Sequence, residues 1–137
     1  MNKLFTPKNA ANRLTVVLSL LALFQLALIL GAPLGIAAYG GQYEVLPANL
    51  RAISISTVFI YVITIYVMRS RAGLSKTSKK DPLIVMAAWV IPVVFLYITY
   101  ANIISASQYE NFIMAPLSLL CAISALSITL SGTKKSK

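Results

Sequence analysis

The residue types that carry most protein chemistry are scarce here. The chain has no histidine, one cysteine and three acids in 137 residues. That excludes Ser–His nucleophilic catalysis, haem ligation by histidine and any Cys-x-x-Cys redox or zinc motif. Glu44, Asp81 and Glu110 show no carboxylate spacing suited to a metal. No catalytic residue, metal ligand or cofactor is expected, and the reading is non-enzymatic. What remains is polar rather than reactive. Glu44, Arg51, Asn102 and Glu110 form a candidate polar cluster at one predicted membrane boundary. Arg51 and Glu110 are either an ion pair between the second and fourth spans or two independently solvated groups. Gln25, Ser54, Thr57, Tyr61 and Thr64 are candidate contacts within the membrane. The last four are spaced three, four and three apart, which places them on one helical face.

The elements that hold these groups are apolar. The chain is 58% hydrophobic and 11% charged, with a mean hydropathy of +0.81, against roughly 25% charged residues in soluble domains. So much apolar surface cannot be hidden from water in so short a chain. The expected fold is all-α: a single integral membrane domain, residues 1–137, forming a four-helix bundle. The predicted spans are residues 14–39, 52–68, 83–104 and 112–130, each near the ~20 residues that cross a bilayer. Asn49 is a candidate cap for the second, and Asp81-Pro82 suits the first turn of the third. A cleaved signal peptide is the rival reading of the first apolar run. Its 17 uncharged residues from Leu14 to Leu30 exceed the usual h-region of about 7–15 and favour a retained helix.

Charge sets the expected orientation. The N-terminal segment, the 69–82 loop and the C-terminal tail carry all of the 12 Lys and Arg except Arg51. The positive-inside rule then puts both termini and the 69–82 loop in the cytoplasm. The net charge of +9 is read as facing lipid head groups, since no nucleic-acid motif accompanies it. The expected partners are the lipid bilayer and a second copy or another membrane protein, with no nucleic acid. Cys121, alone in an apolar run, reads as a small core residue.

Each span carries a weakly polar stripe: Thr15, Ser19, Ala22 and Gln25 in the first, the Ser54 to Thr64 face in the second. Thr99 and Asn102 follow in the third, and Ser118, Cys121 or Ala122, Ala125 and Thr129 in the fourth. These faces suit helix packing, and a polar path or ligand pocket is the functional alternative. Gln25, the largest polar group at mid-bilayer, needs either an interhelical hydrogen bond or a ligand. Gly31 and Gly35 have the GxxxG spacing of close helix contact. Pro33 between them should bend or unwind the first helix near Ile29 to Pro33, which would be ~39 Å long if straight to Tyr39, beyond the ~30 Å hydrocarbon core. Pro92 frees the Ala88 carbonyl of the third span. Pro116 lies too deep for a first turn if the fourth helix starts at Phe112.

Gly31-Ala32-Pro33-Leu34-Gly35, Gly40-Gly41, Leu46-Pro47, Leu50-Arg51, Asn102, Glu110 and Ala115-Pro116 together resemble a bacterial family of small four-helix membrane proteins without an assigned activity. The resemblance covers about 85 residues. It departs from the family at Tyr39 and Met114, where tryptophan is commoner. It implies a four-span bundle of the bacterial inner membrane and supplies no catalytic residue. The leading expectation is a binding or accessory membrane protein. The alternatives are a small transporter or pore with a Ser/Thr-lined path, and an immunity or envelope-stress protein.

Overall fold

The computed structural model describes residues 6–132. The lysines Lys3, Lys134, Lys135 and Lys137 of the charge count lie outside the described residues. Four helices follow one another: α1 (Pro7–Ile29), α2 (Ala48–Arg71), α3 (Pro82–Ile103) and α4 (Ala115–Ser131). All four, α4 with the turn that leads into it, are long and apolar enough to cross a membrane. No strand occurs among the described residues. α1 packs on α2 and α4, while α3 packs on α4 and α2. Large apolar side chains such as Leu20, Leu23, Phe59, Val93 and Tyr97 point outward and are exposed. An apolar exterior around a packed interior suits lipid as solvent.

Local chemistry fixes the helix starts. Thr6 accepts a hydrogen bond from the Asn9 amide at 3.3 Å and Pro7 opens α1. Asp81 accepts from the Leu83 and Ile84 amides at 3.0 and 3.3 Å, with Pro82 next. Both are side-chain N-caps followed by a proline whose missing N–H costs nothing there. At α2 the N-cap is Pro47, with no side-chain bond. Asn49 lies inside the first turn.

The ends of α1 and α2 share one device. Gly31 (φ +90°) follows α1 and Gly73 (φ +76°) follows α2. The Ala32 amide reaches back to the Ala27 carbonyl at 3.0 Å, and the Leu74 amide to Arg69 at 2.8 Å. These are Schellman closures, which need a left-handed residue at the turn. α1 therefore spans 7–29 instead of 14–39. It unwinds where Pro33 was expected to break it. Gly31 and Gly35 make no helix–helix contact, because neither lies in a long helix.

Pro92 and Pro116 are accommodated differently. The Ala88 carbonyl accepts from the Thr129 hydroxyl of α4 at 2.7 Å, so the group orphaned by Pro92 is satisfied across the interface. Before α4 the chain makes one wide π-helical turn, Glu110–Met114, with the Ala115 amide bonded to the Glu110 carbonyl. The wide turn absorbs an extra residue and leaves Pro116 in the first turn of the regular helix.

The main core joins Ala10, Ala11, Leu14 and Leu18 of α1 to Met68, Ala88, Phe95, Cys121, Ala122, Ala125 and Ile128. The expected stripe on α4 is inward: Ser118, Cys121, Ala122, Ala125 and Thr129 are all buried. On α1 only Gln25 of the expected stripe is buried, and Ser19 is exposed. The leucines at 14, 18 and 28 take the interior instead. In lipid, unlike water, packing volume outweighs polarity in deciding which face turns inward.

Candidate functional site

Both ends of the bundle bury a charged side chain. At the end holding the start of α1, the loop between α2 and α3 and the close of α4, that residue is Arg71, 3% exposed. Its guanidinium donates to the Lys79 carbonyl at 2.7 Å and the Thr129 carbonyl at 3.2 Å. Its Nε has no partner. Gly132 lies so close that a Cβ there would stand 2.5 Å from Arg71 Cζ. Neighbouring Arg69 donates to Asn12 Oδ1 at 3.1 Å. This basic end is tied together and filled.

The opposite end is built from residues 30–47, a strap that crosses the bundle between α1 and α2. Gly35 is buried under it: its amide donates to the Glu44 carbonyl at 2.9 Å, and a Cβ would stand 2.4 Å from the Tyr43 carbonyl oxygen. Leu46 packs with Leu28 and Ala38 as a second small core. Tyr39, Gly40 and Gly41 have φ values of +50°, +82° and +70°. Three successive left-handed residues turn the strap sharply. The conformation costs Tyr39 about 1–2 kcal/mol, offset by its side-chain contacts. Its hydroxyl lies 3.0 Å from Ser54 Oγ and donates toward Gln25 Oε1 at 3.4 Å.

The same turn aims the Gly40 amide at Glu110, donating to Oε2 at 3.1 Å. The Ser105 hydroxyl donates to the same oxygen, and Ser107 Oγ donates to the Ile36 carbonyl at 2.6 Å. The connection between α3 and α4 is thereby latched to the strap. Glu110 is 9% exposed. Its Oε1 has no hydrogen-bond partner among the described residues.

Beneath the strap lies a cavity of ≈ 260 Å³ to which all four helices contribute. Gln25 and Phe24 come from α1, Thr57 and Tyr61 from α2, Phe95 and Asn102 from α3, and Ser118 from α4, with Tyr39 and Glu110 at the strap side. Thr57 bonds to its own Ile53 carbonyl at 2.9 Å. Asn102 Nδ2 and Thr99 Oγ1 lie 3.4 and 3.0 Å from Ser118 Oγ. The volume lies just below the ~300–1,000 Å³ typical of small-molecule sites. Among its lining residues only Glu110 carries a formal charge.

The structure thus divides the residues singled out from sequence. Gln25, Thr57, Tyr61, Asn102 and Glu110 meet at the cavity. Ser54 joins through Tyr39, and Thr64 is buried outside the lining. The outer cluster does not hold together. Glu44 is exposed, and Arg51 turns its Nε to the Leu46 carbonyl at 2.8 Å, beside Gly31. The Arg51–Glu110 ion pair is absent: the strap's own backbone amide and Ser105 take up the glutamate. Gly31 and Gly35 shape the strap, while Pro33 follows the α1 turn at the surface. Sequence reasoning missed the burial of Glu110 and Arg71. For Glu110 a signal existed: Ser107-Gln108-Tyr109-Glu110 has capping-box spacing, and Ser107 Oγ does accept from the Glu110 amide at 3.4 Å. The glutamate, however, reaches across to the strap. For Arg71 there was none. Among the described residues no three histidine, cysteine or acidic side chains gather at metal-binding distance. Comparisons with family models, curated proteins and solved structures found no match.

Proposed function

We propose that the chain is a non-enzymatic, multi-pass binding protein of the bacterial inner membrane that holds a small molecule in the cavity beneath the strap. The observation that carries this reading is the cavity itself. It collects Gln25, Tyr61 and Asn102 from three helices and Glu110 from the turn before α4, and a bundle that needed only packing would fill that space. Both termini and the 69–82 loop face the cytoplasm in this reading. Its supports are the distribution of Lys and Arg and the shared end at which Arg69 meets Asn12 and Arg71 meets Thr129. The bacterial assignment rests on the resemblance carried by Gly31 to Pro116.

A second reading, an accessory subunit or self-associating protein, has its own observation. An apolar groove of ≈ 160 Å³ runs between α3 and α4, lined by Trp89, Pro92, Leu96, Ala122 and Leu126. Transport is less favoured by this conformation. Leu14, Leu18, Cys121, Ala125 and Ile128 are all essentially fully buried and close the basic half below the cavity.

The test is native mass spectrometry of the full chain purified in mild detergent. A small-molecule adduct displaced by Phe24→Trp, which adds volume to the cavity wall, supports the binding reading. Adducts that survive Phe24→Trp, or an empty protein that no small probe stabilises, would remove it. A stoichiometric protein partner would move the accessory reading to the front.

A further inference from the structure

Resting on the binding reading, we infer that the cavity selects a cationic ligand: an amine or quaternary ammonium head with a short apolar or aromatic tail. Three observations converge. Glu110 is 9% exposed, and one of its oxygens is committed to the Gly40 amide and Ser105. The other, Oε1, has no partner among the described residues. No lysine or arginine lines the cavity, and Arg51, the counter-charge expected from the sequence, turns its Nε to the Leu46 carbonyl instead. The wall is aromatic where it is not polar, with Phe24, Tyr39, Tyr61 and Phe95.

A carboxylate taken out of water needs either dipoles or a cation around it. The strap amide, the serine hydroxyl and the start of the α4 helix supply dipoles to one side. The cavity side is left for the cation. Aromatic faces attract such a head through their quadrupoles, most strongly where water is excluded. An anion would meet Glu110 with repulsion, and a neutral ligand could give Oε1 a hydrogen bond but no counter-charge.

Three probes of similar size separate these cases: benzyltrimethylammonium, 3-phenylpropanol and phenylacetate. Each is titrated calorimetrically into the full chain in neutral-detergent micelles, with empty micelles as the blank. Benzyltrimethylammonium should bind about tenfold or more tighter than 3-phenylpropanol, and phenylacetate should not bind. Glu110→Gln should remove the advantage of the cation over 3-phenylpropanol. If Glu110→Gln does not fold, Phe24→Trp should weaken binding of both the cation and the alcohol. Equal binding of cation and alcohol to the wild type overturns the cation assignment and leaves the pocket reading standing. Cation binding unaltered by Glu110→Gln does the same. No binding by any probe overturns both.

Discussion

Arg71 and Glu110 are buried ions at opposite ends of one bundle, and among the described residues neither meets an opposite charge. Each is held by backbone instead. Arg71 donates to the Thr129 carbonyl where α4 closes and to the Lys79 carbonyl of the loop, and Glu110, at the start of the turn that leads into α4, accepts from the Gly40 amide of the strap. Cations at helix C-termini and anions at N-termini are both favoured by the helix dipole. The electrostatic solution is the same, but the space around it is not. Gly132 leaves no room beside Arg71, whereas Glu110 borders a cavity. A buried charge by itself therefore marks no site; vacant volume beside an uncommitted atom does.

That contrast can be broken by substitution. Arg71→Met strips two carbonyls of their donor in a filled site and should cost about 3 kcal/mol. Reversible unfolding in mixed micelles would read this as the largest loss in the set. A loss no larger than that of a surface lysine such as Lys76→Met would mean that the basic end is not held by its arginine.

The strap offers a sharper comparison between two of its own glycines. Gly35→Ala places a methyl against backbone that cannot yield cheaply and should cost about 2 kcal/mol. Gly40→Ala meets nothing within 4 Å but keeps φ at +82°, so its cost should be about 1 kcal/mol, from conformation alone. Equal losses in the same unfolding assay would show that the strap relaxes around Gly35.

The smallest effect tests the bond across α3 and α4. Thr129→Val leaves the Ala88 carbonyl without its donor and should cost about 1 kcal/mol. In a Pro92→Ala background the helix regains its own donor, so the same change should cost less than half as much. A double-mutant cycle with no coupling would show that the proline and the threonine act independently.

The four spans were legible in the sequence because hydropathy and the placement of basic residues report on the lipid environment residue by residue. The orphaned Ala88 carbonyl was legible too, since Pro92 creates it whatever the fold. The rescue by Thr129 was not, because it depends on how α3 and α4 meet. From sequence Glu110 reads as a boundary charge, by its position near the end of an apolar run. Its burial depends on the left-handed run from Tyr39 to Gly41, which brings in a partner 70 residues away. The α1 stripe misled for a related reason. Serine and threonine on a lone helix can bond their own backbone, as Thr15 does with Ala11 at 2.7 Å, so they need not face inward.

The position of Arg71 also bears on how the protein is made. Synthesis runs from α1 to α4, so the guanidinium is in place long before the last turn of α4 supplies the Thr129 carbonyl and the bare Gly132 surface against it. Until that turn arrives, the charge must stay at the aqueous boundary, where its own hydration can hold α2 at the right depth. Docking of the final turn then trades that water for carbonyls. Docking of α4 thus covers the cation left by the earlier helices, and a chain halted before it carries an uncovered guanidinium that distinguishes it from the finished bundle.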